Sequence, residues 1–448
     1  MSRAADSLAE RLGLHRPEFR AWAMYDWANS AFVTTVIGTV FPIYYAEVAA
    51  QGLPPERAAV LYSSATTLAL IVVACLAPVL GAMADTRACK KRLLALCQSL
   101  GVLACLAMVF ITEGRWQLAL VLFALGNIGV SGAFTFYDSL LPHIARQEEL
   151  DRVSTAGYAL GYMGGGFLLA INLLWIQKPG WFGLADARAA ARLSLASAGV
   201  WWLVFSVPLF LRVSEPAVVT PLPGRSLVVT AFRQLGETFR ELRRFKSALL
   251  MLVAFLIYND GINTIIRMAA LYGKQIGIAS PHLILAFLMV QFVGIPFAFL
   301  FGRLASRIGA KQAVFVALLV YTLISVLGYY MTRALHFYLL AFLVGTVQGG
   351  SQALSRSLFA SLIPRQKSSE CFAFFAVFEK FAGVIGPAVF ATAVGTTGSM
   401  RAAILSVITF FALGALLLAM VDVGQGQRIA REAETALASP VPDGMAAS

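Results

Sequence analysis

Residues 313–331, AVFVALLVYTLISVLGYYM, form an uninterrupted run without a single charged residue. A helix rises about 1.5 Å per residue, so about 20 apolar residues cross the hydrocarbon core of a bilayer. Runs of this kind recur along the 448-residue chain, of which 59% is apolar and 13% is charged. A soluble domain carries about 25% charged residues. The sequence therefore predicts an all-α membrane protein rather than a soluble protein with a large core.

Twelve apolar segments are long enough to be transmembrane helices, and one longer polar connection divides them into two groups of six. The predicted spans are Ala21–Tyr45, Val60–Met83, Leu93–Ile111, Trp116–Leu140, Val153–Ile176, Leu193–Leu211, Ala248–Leu271, Leu283–Leu304, Ala313–Met331, Phe337–Leu362, Cys371–Ala393 and Ala402–Val421. The predicted organisation is an N-terminal segment (1–20), a first bundle (21–211), a central loop (212–247), a second bundle (248–423) and a disordered tail (424–448). Between Phe232 and Leu242 the central loop has the pattern of a basic amphipathic helix, which suits an anionic membrane surface.

The distribution of basic residues predicts the orientation. With the N-terminus placed inside the cell, the inner segments hold 24 of the 35 Lys and Arg residues and the outer loops hold eight. Positively charged loops remain on the cytoplasmic side during insertion. We therefore expect a multi-pass protein of the bacterial inner membrane with both termini in the cytoplasm. The net charge of +12 is spread over the inner segments and does not indicate nucleic-acid binding.

The two halves share short motifs at a nearly constant separation, which indicates a duplicated six-helix unit. Gly81-Ala-Met-Ala-Asp85 recurs as Gly302-Arg-Leu-Ala-Ser306, 221 residues later, and Ser139-Leu-Leu-Pro142 recurs as Ser361-Leu-Ile-Pro364, 222 residues later. Two six-helix repeats related by a pseudo-two-fold axis are the architecture of the major facilitator superfamily. The sequence resembles that superfamily in this respect, and we expect its fold here.

The loop after the second span resembles the major facilitator loop signature, which combines a glycine, an aspartate and a basic run. Here these are Gly81, Asp85 and Arg87, and the second half repeats a basic residue at Arg307. The resemblance implies a gating network of charges that breaks when the halves move apart. Asp138, near the inner end of the fourth span, is expected to pair with the Arg87 loop. The alternative is a simple cluster of positive charges that stops translocation.

The fifth span is rich in glycine. A nucleotide-binding fingerprint would need a preceding strand, which the apolar pattern does not provide. Small residues four apart let helix backbones approach closely, so we interpret the glycines as packing residues. Tyr158 and Tyr162 share one face of this helix and are expected to face the transport path. The glycines are Gly157, Gly161, Gly164, Gly165 and Gly166.

Ionisable side chains within spans cost at least about 2.5–3.5 kcal/mol near the bilayer centre when they face lipid. They are therefore expected to face protein or a water-filled path. Asp26 and Asp260 each begin an Asp-x-x-Asn pattern, which ends at Asn29 and at Asn263 respectively. Coincidence and homology between the halves explain this likeness equally well. Gln348, Gln352 and Ser355 form a polar stripe on the tenth span, which predicts a cavity lining or hydrogen bonds between helices. The ionisable residues are Asp26, Asp138, Asp260, Arg267, Arg356, Glu379 and Lys380.

Several longer strings resemble the vacuole-effluxer (autophagy-related) family and its bacterial relatives. They are Tyr25-Asp-Trp-Ala-Asn-Ser-Ala-Phe32, Tyr158-Ala-Leu-Gly-Tyr-Met-Gly-Gly165, Tyr258-Asn-Asp-Gly261, Gln348-Gly-Gly-Ser-Gln-Ala-Leu-Ser-Arg356 and Lys380-Phe-Ala. The fungal members are associated with export of amino acids from the vacuole, so the resemblance implies a secondary transporter of amino acids that works by alternating access. The short loops look more like the bacterial branch, whose substrates are mostly unassigned.

A zwitterionic substrate needs an acid for its ammonium group and a base for its carboxylate, which Asp260 with Arg356 or Lys380 would supply. Asp26 and Glu379 are the candidates for carrying a coupling proton. The full set of candidate substrate-binding residues is Asp26, Asn29, Tyr158, Tyr162, Asp260, Asn263, Gln348, Gln352, Arg356 and Lys380.

Two other functions are open to a protein with many membrane spans. An exporter of lipids or amphipathic drugs would need an apolar cavity, whereas the charges within the spans favour a small polar solute. A membrane-embedded enzyme or receptor is the alternative from another class, but the sequence has no HExxH motif and no Walker A motif. We therefore expect no enzymatic activity, no cofactor and no metal. The expected partners are a small-molecule substrate, a coupling proton or ion, and the lipid bilayer, and the expected oligomeric state is a monomer.

Overall fold

The computed structural model describes residues 9–216, 245–275, 277–278, 280–382 and 385–438. The helices of this part of the chain are numbered here so that α1 to α12 correspond to the twelve predicted spans. They are α1 (Pro17–Ala49), α2 (Pro55–Arg87), α3 (Lys90–Ala107), α4 (Trp116–Ile144), α5 (Leu150–Gln177), α6 (Ala187–Arg212), α7 (Lys246–Gln275), α8 (Ser280–Ile308), α9 (Ala310–Tyr329), α10 (Ala334–Ser361), α11 (Ser368–Phe381 and Ile385–Thr397), α12 (Met400–Ser406 and Ile408–Ala419) and α13 (Val423–Ala438).

Eleven helices among the described residues are long and apolar enough to cross a membrane. The predicted eleventh span, Cys371–Ala393, is divided, because Ala382 leaves the helical conformation and a second helix begins at Ile385. Pro387 lies in the first turn of that second helix, where a continuous helix would need the backbone N–H that proline lacks. The two pieces of α11 together provide the remaining crossing.

The helices form two bundles, α1–α6 and α7–α12, related by the predicted pseudo-two-fold symmetry. In the first bundle α1 packs against α5 and α6, and in the second α7 packs against α12. The bundles meet where α2 contacts α11 and where α8 contacts α5. The two contacts are related by the repeat, since α8 in the second bundle corresponds to α2 in the first, and α11 corresponds to α5. The predicted fold is confirmed.

Large apolar side chains cover the outside of the bundles. Leu68, Val204 and Leu319 are 60%, 54% and 71% exposed. Exposed apolar groups on this scale would be unfavourable in water but match the hydrocarbon of a bilayer. The surface therefore agrees with the hydropathy of the sequence.

Both described ends of the chain lie at one face of the bundles, called here the terminal face. Arg16 lies 3.9 Å from Glu149 in the α4–α5 loop, and Arg431 of α13 donates to Gln147 in the same loop at 3.0 Å. The ends of α2, α4, α8 and α10 that carry the repeated motifs lie at this face.

The C-terminal part differs from the expectation of a disordered tail, because Val423–Ala438 form a helix. Asp422 precedes this helix, and its Oδ1 accepts a hydrogen bond from Gln425 N at 2.9 Å, as a helix N-cap does. The predicted amphipathic helix of the central loop lies outside the described residues.

Candidate functional site

A buried cluster of charges joins the two bundles near the terminal face. The guanidinium of Arg356, on α10, donates to Asp138 Oδ1 on α4 at 3.0 Å and to Asp26 Oδ2 on α1 at 3.2 and 3.3 Å. It also donates to Ser154 of α5, through Oγ at 2.9 Å and the carbonyl at 3.0 Å. Arg356 is 2% exposed. One side chain of the second bundle is therefore held by three helices of the first.

Aromatic rings enclose the same guanidinium. Its carbon lies 4.7 Å from the ring centre of Trp22, 4.6 Å from that of Tyr158 and 5.7 Å from that of Tyr137. Trp22 and Tyr137 stack on each other with ring centres 4.5 Å apart. A cation over a desolvated aromatic face gains about 2 kcal/mol. The rings therefore contribute to holding the charge while they exclude water from it.

The glycines of α5 create the space for this cluster. A Cβ atom added at Gly157 would lie 3.1 Å from Arg356 Nη2 and 2.9 Å from the Trp22 ring. Added at Gly161, it would lie 2.7 Å from Ser30 Oγ on α1. Any larger residue would push α1 away from α5, because interiors are close-packed. The predicted packing role of these glycines is confirmed.

One predicted charge pair is wrong. Asp138 does not pair with the Arg87 loop, because the Arg356 guanidinium occupies its Oδ1. The partner of Asp138 comes from a helix that the sequence could not place beside the acid. Asp260, which was predicted to bind a zwitterionic substrate together with Arg356 or Lys380, accepts a hydrogen bond at Oδ2 from Gly386 N at 2.8 Å, where the second piece of α11 begins.

A second contact between the bundles lies at the predicted gating loop. The Asp85 carboxylate accepts hydrogen bonds from the backbone N–H groups of Ser369 at 3.1 Å and Glu370 at 2.9 Å, at the start of α11. Lys90 Nζ lies 2.7 Å from Asp85 Oδ1. A carboxylate at a helix N-terminus satisfies free N–H groups and interacts favourably with the helix dipole. A Cβ at Gly81 would lie 2.7 Å from the Ser369 carbonyl oxygen, so the glycine permits this close approach.

Arg87 does not take part in this network. It is exposed, and its side chain forms no hydrogen bond or ion pair with the part of the chain that the structure describes. Lys90 takes the predicted place of Arg87, and its Nζ also lies 2.7 Å from Ser368 Oγ and 3.0 Å from His143 Nε2. Lys90, His143 and Ser368 were not among the predicted gating residues, although Lys90 belongs to the same basic run as Arg87.

A cavity of about 670 Å³ lies between the bundles on the other side of the charge cluster. On α10 it is lined by Val344 and Gln348, which lie farther from the terminal face than Arg356. Asn263 of α7 and Gln291 of α8 add amide groups. The remaining lining is mostly apolar, with Ile37, Phe287 and Phe390 among the contributors.

An irregular stretch of α1 also lines this cavity. Residues Val33–Thr39 form a π-helix, and Thr34, Gly38 and Thr39 face the cavity. The hydroxyl of Thr39 donates to the Thr34 carbonyl at 2.6 Å. Wide turns of this kind occur preferentially at functional sites. The β-branched run that precedes Gly38 is the signal in the sequence for this irregular stretch, which was not predicted.

The other predicted site residues are distributed as follows. Gln352 donates to Asn259 and therefore bonds between α10 and α7, while Tyr162 packs against Gly294 and Gly349. Asn29 is buried, Glu379 is partly buried, and Arg307 is exposed at the terminal face. The side chains of Arg267 and Lys380 lie outside the described part. No cluster of potential metal ligands occurs among the described residues.

Known proteins of similar sequence agree with this architecture. The model of the family described as vacuole effluxer Atg22 like matches residues 56–431. YxiO of Bacillus subtilis (strain 168), described as an uncharacterized MFS-type transporter, is 34% identical over 416 residues, which cover 91% of this chain and 96% of YxiO. Autophagy-related protein 22 of Yarrowia lipolytica is 28% identical over 314 residues, which cover 63% of this chain and 52% of the fungal protein. The chain thus spans about half the length of the fungal relatives it matches.

Two solved structures of similar fold are proton symporters named for sugars. The proton:xylose symporter XylE superposes with a TM-score of 0.67 at 14% identity, covering 91% of this chain and 95% of XylE. The fucose:proton symporter FucP of E. coli superposes with a TM-score of 0.68 at 12% identity, covering 90% of this chain and 98% of FucP. At these identities the likeness shows the fold alone. Together with the family match, it shows that this chain belongs to the vacuole effluxer Atg22 like family and is a multi-pass transporter of the major facilitator type.

Proposed function

We propose that this protein is a secondary active transporter that moves a small solute by alternating access through the cavity between its bundles. The observation that carries the proposal is the position of the cavity relative to the two contacts between bundles. Both the Arg356 cluster and the Asp85 contact lie on the terminal side of it. The structure therefore corresponds to the state in which passage to the terminal face is blocked.

The solute that fits best is an amino acid with an apolar side chain. The cavity offers apolar surface together with the amides of Asn263, Gln291 and Gln348. The guanidinium of Arg356 and the carboxylates that it binds lie on the terminal side of the cavity, and Arg356 is eight residues, or about 12 Å along α10, from Gln348 in the lining. An amino acid carries one ammonium and one carboxylate, so it could exchange partners with this cluster as the terminal face opens.

A coupling proton would bind at the same cluster. One guanidinium faces two carboxylates, Asp26 and Asp138, and each would be left without that partner when α10 moves away. An unpaired charge is costly in a low-dielectric site, so uptake of a proton would lower the free energy of the open state. Glu379 remains the second candidate for the proton. The symporters XylE and FucP, of the same fold, are named for coupling to protons.

An exporter of lipids or amphipathic drugs is the second candidate, because the cavity lining is mostly apolar. The two candidates differ in their dependence on Arg356. An apolar solute would not need the guanidinium as a ligand, whereas an amino acid would.

Counterflow into proteoliposomes tests the proposal. The vesicles would be preloaded with single amino acids, sugars, nucleosides or a fluorescent amphipathic drug, and uptake of the labelled counterpart would be measured. Counterflow of an apolar amino acid that is lost in Arg356→Gln supports the first candidate. Counterflow of the drug alone, retained in that variant, supports the second, and no counterflow of any compound contradicts both.

We further propose that the terminal face is cytoplasmic in a bacterial inner membrane and that the transporter acts as a monomer. The excess of basic residues on the predicted inner segments supports the orientation. A reporter that works only outside the cytoplasm would be fused to the C-terminus, and activity of that fusion would contradict the orientation.

A further inference from the structure

Four arginines surround one groove at the terminal face. Arg11 belongs to the N-terminal segment, Arg152 to the first turn of α5, and Arg303 and Arg307 to the last turns of α8. With Ser306 they line a groove of about 430 Å³. In the part of the chain that the structure describes, their side chains form no hydrogen bond, and no acidic group lies within 4.0 Å of them. The groove thus collects four like charges, and none of the described residues supplies a counter-ion.

Close backbone packing fixes the elements that carry these arginines. Gly13 has a φ of +70°, and a Cβ there would lie 2.7 Å from the carbonyl oxygen of Arg152, so the N-terminal segment rests directly on α5. Gly302 of α8 packs against the side chain of Thr155 on α5. The arginines therefore approach one another because the elements that carry them pack closely, and their mutual repulsion must be tolerated or neutralised.

The duplication shows what the groove lacks. Ser306 occupies the position in the second half that Asp85 occupies in the first. Asp85 supplies a carboxylate to the α2–α11 contact between the bundles, whereas the related α8–α5 contact has a serine hydroxyl that donates to the Arg303 carbonyl at 2.8 Å. The α8–α5 contact therefore has basic groups on both sides and a hydroxyl where the related contact has a carboxylate.

We propose that this groove binds a phosphate-bearing anion that links the two bundles at the terminal face. Planar guanidinium groups donate in pairs to phosphate oxygens, and several of them together suit a multiply charged tetrahedral group. The phosphate belongs either to a lipid headgroup or to a soluble phosphate compound. Because Arg152 comes from the first bundle and Arg303 and Arg307 from the second, the bound anion stabilises the state in which this face is closed. The site does not depend on which solute the protein transports.

The purified full-length protein would be tested with both sources of phosphate. In a neutral detergent at constant ionic strength, the melting temperature would be followed while sodium pyrophosphate is added. In a second arm, native mass spectrometry would compare the retention of phosphatidylglycerol with that of phosphatidylcholine. The variants are Arg303→Gln with Arg307→Gln, and a control, Arg57→Gln with Arg115→Gln, that removes two exposed arginines elsewhere.

The site predicts a saturable rise in melting temperature or selective retention of phosphatidylglycerol by the unaltered protein. The groove variant should weaken that response at least about tenfold, since it removes charge-assisted contacts, while the control variant keeps it. The pyrophosphate arm identifies a soluble anion and the lipid arm a headgroup. No response in either arm, or equal weakening by both double variants, overturns the proposal. If the groove variant does not fold, Arg303→Lys with Arg307→Lys replaces it. An unchanged affinity of that variant for the phosphate compound or lipid would show that guanidinium groups are not required, which overturns the proposal.

Discussion

Replacing Arg356 with glutamine should abolish transport and favour opening of the terminal face. The substitution removes the hydrogen bonds to Asp26 and Asp138 and the charge that the Trp22 and Tyr158 rings enclose. Both carboxylates would remain buried without their counter-ion. The penalty falls on the state described here, because in this state α10 reaches the first bundle through Arg356.

The magnitude follows from the burial of the pair. Removing one partner of a buried ion pair costs about 3–5 kcal/mol. At about 1.4 kcal/mol for each factor of ten, this shifts the equilibrium between closed and open terminal faces by about 10²- to 10³-fold. Protonation of the stranded carboxylates would recover part of the cost, so the shift should be larger at high pH than at low pH.

The assay combines counterflow in proteoliposomes with the melting temperature of each variant. Arg356→Gln is compared with a triple variant that also carries Asp26→Asn and Asp138→Asn, and with Arg57→Gln as an exposed control. The triple variant has no stranded charge, so it should recover the melting temperature yet stay inactive if the cluster binds the solute. Transport by the triple variant would mean that the cluster only holds the helices together and does not bind the solute. Near-normal transport by Arg356→Gln alone would refute the reasoning altogether.

Three further predictions concern the glycines, the gate and the cavity. Gly157→Ala should destabilise the protein by about 1–3 kcal/mol and impair transport because its methyl group meets the charge cluster, whereas Gly180→Ala, with open space around it, should change stability by less than about 0.5 kcal/mol in chemical denaturation. Asp85→Asn should lower the maximal transport rate by about tenfold through weaker bonds to α11 while leaving KM nearly unchanged, and a raised KM at normal rate would show that the gating role is misassigned. Gln348→Leu should raise KM by about tenfold with little change in melting temperature, whereas Thr346→Val, on the same helix but away from the cavity, should alter neither; equal effects would remove the glutamine from the site.

The fold could be predicted because it depends on local properties of the sequence. Span length, charge distribution and the repeated loop motifs each act over a few residues, and together they specify helix count and duplication. The small residues of α5 were equally informative, since close helix approach requires them wherever the partner lies. Gly157 and Gly161 therefore revealed their role without any knowledge of α1.

The charge pairs could not be predicted, because they join distant parts of the chain. Arg356 and Asp26 are 330 residues apart, and the register of two helices decides that they meet. At the Asp85 contact, one backbone dihedral angle determines which basic residue lies beside the carboxylate. Ala88 has a φ of 48°, and the turn that it makes places Lys90 rather than Arg87 beside Asp85. Alanine seldom adopts this conformation, so an alanine at position 88 does not indicate a turn.

The two related contacts at the terminal face lead to a last prediction, which concerns Ser306→Asp. This change gives the second half the carboxylate that Asp85 provides in the first, and it places that carboxylate among Arg152, Arg303 and Arg307. Exposed ion pairs are worth about 0.2–1 kcal/mol each, so the variant should melt slightly higher without added anion. It should also respond less to pyrophosphate, since the carboxylate competes for the same guanidinium groups. Thr112→Asp, an exposed change of the same charge elsewhere, should show neither effect. A variant at Ser306 that melts lower and keeps the full pyrophosphate response would mean that the four arginines are solvated separately and that the α8–α5 contact closes without an anion.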